Sequence, residues 1–214
     1  AVTAAARPEV SCRISRTILH YVRACRGGAL GDLLDGLGVD ETYLLDTNNW
    51  VSQDVIQTLF QRTVDLLGDE AAIFKAPLAT AQPKSRGLLP RMLHLLGSPQ
   101  LVYAQAPLFG RMLRTTSRIA VIKSGDCHAV IEERFPDTFR KTRYDCDYMR
   151  GMLAMVPVFF GMPPADVEEV ECQLSIDERG YRLWAEDPVT WAGRCLYRIQ
   201  WDPSKRQPFW TRRL

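Results

Sequence analysis

Apolar residues recur at helical spacing from the start of the chain. Val10, Ile14, Ile18, Val22 and Cys25 stand four, four, four and three residues apart, which predicts an amphipathic helix over residues 9–25. Arg13, Arg16, His20 and Arg23 occupy another face, and Gly27-Gly28 supplies the stop. A connection through Gly31, Gly36 and Gly38 leads to Tyr43-Leu44-Leu45 and a turn at Asn48-Asn49. Ser52 then caps a helix over 53–67, buried through Val55, Ile56, Leu59, Phe60, Val64 and Leu67 and closed by Gly68-Asp69. Shorter helices are predicted over 87–96 and 106–115, parted by Gly97-Ser98-Pro99.

The period then shifts towards two. Residues 118–123 and 127–135 flank Ser124-Gly125-Asp126, a hairpin signal. Residues 148–160 read as a helix with Pro157 near its end and Gly161 beyond it, and strands follow over 167–174 and 195–201. Helices first, then hairpin, helix and two strands, predict an α+β fold: an antiparallel sheet with helices packed on it. The division expected is a helical N-terminal part over 1–114 and an α+β part over 115–214.

The chain has 214 residues, 46% hydrophobic and 24% charged, enough for a substantial core. A net charge of +2 argues against an electrostatically driven nucleic-acid binder. The basic groups Lys205-Arg206 and Arg212-Arg213 read as a solvated exit segment. No apolar run is long enough for a membrane span and no signal peptide is evident, so a cytoplasmic location is expected. Because it starts at Ala1 and stops at Leu214, the chain reads as a portion of a longer protein.

The cysteines change this picture most. Cys146, Glu169, Cys172 and Cys195 offer three thiols and a carboxylate, a set able to close a tetrahedral zinc site around a borderline-soft ion. Four protein ligands leave no open position, so such zinc is structural and staples the C-terminal part. Glu169 and Cys172 lie three apart on a predicted strand, where side chains point to opposite faces; both reach one ion only if the strand bends or ends there. Buried thiols and a disulfide are the competing readings. Cys12 and Cys25 read as packing or surface residues.

Cys146, followed after 23 residues by Glu169 in Glu169-Val170-Glu171-Cys172 and later by Cys195 leading into an apolar strand, resembles the 4-vinyl-reductase domain. The similarity covers roughly residues 115–201 and is greatest to the sensory regions of bacterial activators that respond to aromatics. The interval of 23 residues from Cys172 to Cys195 is longer than in that family; Gly180, Asp187-Pro188 and Gly193 let the insert loop out and return. The resemblance implies a structural zinc at Cys146, Glu169, Cys172 and Cys195. It also implies a cytoplasmic sensory module that binds a small hydrophobic molecule, dimerises through helices and controls a C-terminal output domain, as in transcription regulation or other signal transduction. Residues 9–25 are the candidate dimer helix.

A pocket is expected near the helix–sheet seam from Leu93, Leu96, Tyr103, Phe109, Met112, Met152, Met155 and Phe159, although such side chains also serve as plain core. No catalytic constellation is evident: only His20, His94 and His128 could act as imidazole bases, and no Gly-x-Ser-x-Gly or His-Glu-x-x-His occurs. His94 invites a haem-ligand reading against that of a partly buried polar residue. A non-enzymatic sensor is therefore expected. The alternatives are a tetrapyrrole (vinyl) reductase-type enzyme or accessory protein, and a non-catalytic assembly module.

Overall fold

Ser11 begins the first long helix: its side chain accepts from the Arg13 N–H at 3.3 Å, setting α1 as Cys12–Arg26. The structure, a computed structural model of the chain, describes residues 8–27, 30–81, 96–136, 139–176, 182–184 and 193–205. Val10 fits the helical stripe by spacing, yet it lies in β1 (Val10–Ser11), paired antiparallel with β2 (Trp50–Val51). Gly27 ends α1 at φ 67°, a left-handed conformation that suits glycine. Then come α2 (Gly31–Leu34), α3 (Glu41–Leu45), α4 (Gln53–Leu67) and α5 (Ala72–Thr80). After residues 82–95, which lie outside the described part with most of the helix predicted over 87–96, follow α6 (Pro99–Ala104) and α7 (Ala106–Leu113).

The second half opens with the hairpin β3 (Arg118–Ser124) and β4 (His128–Arg134), continues through α8 (Arg143–Ala154) and α9 (Val156–Phe159), and returns to strand in β5 (Asp166–Glu171). β6 (Leu174–Ile176) pairs β7 (Arg182–Trp184), and β8 (Cys195–Gln200) enters the main sheet. That sheet is antiparallel in the order β3-β4-β8-β5. The expected α+β class is therefore present.

Two differences from the predicted elements bear on function. The helix predicted over 148–160 begins at Arg143 and is two helices, because Thr142 and Asp145 form a capping box upstream while Pro157 lies in the first turn of α9. Cys146 is thereby on the helix, not ahead of it. The strand predicted over 167–174 stops at Glu171 and resumes at Leu174. α5 was missed because Pro77 lies inside it and its mostly apolar sequence lacks a polar face.

α8 joins two cores. Tyr144 and Tyr148 belong to the cluster built on α1 and α4, with the Tyr148 ring 5.4 Å from Phe60. Leu153 and Ala154 belong to the cluster under the sheet, where Tyr103 and Trp201 lie 5.0 Å apart, and Met152 touches both clusters. Gly151 lets α8 approach α5 closely: a Cβ there would run into the Phe74 carbonyl. Gly151→Ala should therefore cost about 1–3 kcal/mol in urea denaturation, by the overpacking mechanism; an unchanged midpoint would show that α5 yields freely.

Candidate metal centre and interior seam

Four potential ligands come from three elements. Cys146 sits in the first turn of α8, Glu169 in β5, Cys172 just past β5, and Cys195 at the start of β8. Their ligand atoms all lie within 4.8 Å of one another. Cys172 Sγ is 3.6 Å from Cys146 Sγ and 3.7 Å from Cys195 Sγ. A tetrahedron with metal–sulfur bonds of about 2.3 Å has edges of about 3.8 Å. The sulfur spacing is thus that of ligands around one cation. Cys146 and Cys195 are fully buried; Glu169 and Cys172 are half-buried.

Strand parity would send Glu169 and Cys172 to opposite faces, and the chain removes the conflict. The pairing of β5 with β8 shifts register between Glu169 and Glu171, and β5 then ends. The sequence asks that the strand bend or end there, and within three residues the chain shows a register shift and a strand end. Beyond that break the Gln173 N–H donates to Cys195 Sγ and the Leu174 N–H to Cys172 Sγ, each at 3.4 Å. Amide donors of this kind stabilise thiolate charge.

A cation is also built in. Lys141 Nζ lies 3.0 Å from Cys195 Sγ, 3.2 Å from Glu133 Oε2 and 3.3 Å from the Tyr197 hydroxyl. Burial opposes its charge, but Tyr197, Glu133 and the thiols hold its pKa well above the ordinary value. Sulfur hydrogen bonds with Cys146 and Cys172, followed by Lys141, lower Cys195 to about 2, whereas hydrogen bonding to Cys146 and Cys195 raises Cys172. The Lys141 ammonium thus lies against the Cys195 sulfur.

One residue before Cys146, Asp145 is a buried hub. It accepts from Arg114 Nη1 at 2.7 Å, Gln53 Nε2 at 2.8 Å, Gln57 Nε2 at 3.0 Å and the Thr142 N–H at 2.8 Å. Burial would raise its carboxyl, but Arg114, the Thr142 N–H and Lys141 hold it below the usual range. Sequence reading missed Asp145, Arg114, Lys141 and Glu133. Thr142-x-x-Asp145 is a capping-box pattern that could have revealed Asp145; Arg140-Lys141 reads only as a solvated pair.

The expected pocket residues are placed as follows. Tyr103, Met155 and Phe159 are buried in the sheet-side cluster, and Leu96, Phe109 and Met152 pack against it. Met112 is half-buried on α7. Leu93 and His94 lie outside the described residues. The Tyr103 hydroxyl donates to the Leu153 carbonyl at 2.8 Å, tying α6 to α8 across the seam.

Solved structures with similar architecture include several H-NOX domains. A Cs H-NOX mutant carrying 4-cyano-L-phenylalanine at site 5 matches at 14% identity over 90% of this chain and 96% of its own, with a TM-score of 0.58. The Fe(II) unliganded H-NOX protein from K. algicida matches at 10% identity over 90% and 96%, with a TM-score of 0.57. The fold is that of the H-NOX domains. A structure described as probing the function of heme distortion in the H-NOX family matches at 16% identity over 90% and 95%, with a TM-score of 0.51. No family model and no curated protein matches the chain.

These structures correct two expectations. The resemblance to the 4-vinyl-reductase domain does not hold, because the solved H-NOX structures share the fold along nine-tenths of the chain. Four residues spread over three elements describe a cluster, and a cluster does not specify a family. Zinc, the cofactor implied by that resemblance, falls with it: heme is what the H-NOX description names. The cluster itself rests on its own geometry.

Asp145→Asn would leave Arg114 buried without its counter-charge and should destabilise the protein by about 3–5 kcal/mol. Pairing it with Arg114→Met should recover part of that loss. Equal losses in the single and double variants, measured by chemical denaturation, would show that the ion pair is not the source.

Proposed function

We propose that this chain is a small-molecule-responsive regulatory domain on an H-NOX-type frame, braced by a soft divalent cation at Cys146, Glu169, Cys172 and Cys195. The observation that carries the metal reading is the sulfur spacing of 3.6 and 3.7 Å at the convergence of α8, β5 and β8. With four protein ligands filling a tetrahedron, the ion leaves no position for substrate and serves the fold. Sensing is supported by the frame and by the apolar seam along α8, where Met152 touches both cores beside Tyr103, Met155 and Phe159. Flexible methionines let such a seam repack around a guest.

Haem is the group that the H-NOX description names, and His94, the residue with a haem-ligand reading, lies outside the described residues. His20 is exposed on α1, and His128 lies at the hairpin against Gly125, so neither faces the seam. At the seam the Tyr103 hydroxyl is committed to the Leu153 carbonyl.

Among the described residues no helix is long and apolar enough to cross a membrane. In this reading residues 1–114 supply the pocket wall and a dimer face on α1, while 115–214 hold the cation and lead towards an output domain. A guest that prefers one packing of the helices against the sheet shifts the equilibrium by its differential affinity for the two packings.

Two measurements test the proposal. Cobalt(II) added to metal-free protein should bind at one ion per chain with a strong thiolate charge-transfer band, and Cys172→Ser should weaken binding at least tenfold; a titration without that band removes the metal reading. In thermal-shift assays against panels of phenols, fatty acids and free porphyrins, one class should raise the melting temperature, and Met152→Trp, which fills the seam, should abolish the rise. Identical shifts in the wild type and Met152→Trp would place the ligand elsewhere.

A further inference from the structure

Lys141 is the most deeply buried cation close to the sulfur cluster, with its side chain 0% exposed. Lysine is almost never fully buried unless paired, and an ammonium has three protons to give. Here three acceptors surround it: Cys195 Sγ at 3.0 Å, Glu133 Oε2 at 3.2 Å and the Tyr197 hydroxyl at 3.3 Å. The Phe135 ring closes another side, 4.8 Å from Nζ. The sheet fixes the acceptors. Glu133 and Cys195 are direct partners across β4 and β8, and Tyr197 stands two residues further along β8, on the same face as Cys195. The ammonium therefore caps one sheet face, with one sulfur and one carboxylate competing for its charge.

Three thiolates and a carboxylate around a divalent ion leave the site with an excess of two negative charges. Placing that charge inside a protein is costly unless neighbouring donors or cations spread it. The donors at the cluster are unequal. Cys172 receives a backbone N–H at 3.4 Å, whereas Cys195 receives a backbone N–H at 3.4 Å and the Lys141 ammonium at 3.0 Å. A charged donor draws electron density from sulfur more strongly than an amide.

We propose that Lys141 is a positioning residue of the cation site: its ammonium tempers the electron donation of Cys195 to the bound ion, and Glu133 sets how much of the ammonium Cys195 receives. The proposal rests on the metal reading above and adds an electronic control that the four ligands lack. Outer partners of this sort commonly govern how firmly a metal site holds its ion. A Lys141 that served only as the buried partner of Glu133 would leave the sulfur's electronic character untouched.

Cobalt(II) bound to the chain distinguishes these cases, because the energy of the thiolate-to-cobalt band reports sulfur donation directly. Lys141→Met keeps the length of the side chain and its contact with Phe135 while removing the donor, and should move the band to longer wavelength. Glu133→Gln removes the competing charge, leaves Lys141 in place, and should move the band to shorter wavelength. Opposite shifts at unchanged stoichiometry support the proposal. A wild-type band unmoved by either substitution, or moved the same way by both, overturns the role of Lys141 while leaving the metal site intact. Absence of any band in the wild type overturns the metal reading and this proposal together. If Lys141→Met does not fold, the direction of the Glu133→Gln shift decides alone.

Discussion

The first turn of α8 is the constraint on which the rest of the structure depends. Two consecutive residues there serve the two halves of the protein. Asp145 is fully engaged with Arg114, Gln53, Gln57 and Thr142, which fixes the turn to the helical part. Cys146 presents its sulfur to Cys172, at the end of β5. Adjacent residues on a helix point about 100° apart, so a single turn can face a polar hub on one side and a sulfur cluster on the other. Any tilt of α8 disturbs both at once. The close approach at Gly151, one helical turn and a half further on, locks the same helix against α5.

The second constraint lies in the sheet. β8 is interior, between β4 and β5, and it begins with the buried Cys195. Pairing with Glu133 of β4 fixes the backbone of that residue, so its sulfur is a firm reference point. β5 supplies the adaptable side of the cluster: a register shift and an early end bring Glu169 and Cys172 to the same place. A central strand thus gives position, and an edge strand gives reach.

Much of this is legible in the sequence. The cluster is readable because thiols and carboxylates have few common roles together, and because three-residue spacing on a strand carries a specific geometric demand. α1 and α4 are readable because their apolar stripes are continuous. α5 is not, since a mostly apolar helix containing Pro77 has no amphipathic signature. The start of α8 is misplaced because Arg143, Asp145 and Asp147 look like solvated charge, whereas Asp145 is buried on a capping box. Lys141 is unreadable for a related reason: its acceptors Glu133, Cys195 and Tyr197 are up to 56 positions away in sequence and meet only through strand pairing. The likeness of fold is the least legible feature. A ligand cluster is local chemistry, whereas the H-NOX fold is a property of the whole chain.

The central claim is that one cation, held by three sulfurs and a carboxylate oxygen, binds α8 to the sheet. X-ray absorption at the metal edge of the cobalt-loaded protein examines that first shell directly. The account requires three sulfur scatterers at about 2.3 Å and one lighter scatterer near 2.0 Å. A shell made only of oxygen or nitrogen, or one with fewer than three sulfurs, would contradict it.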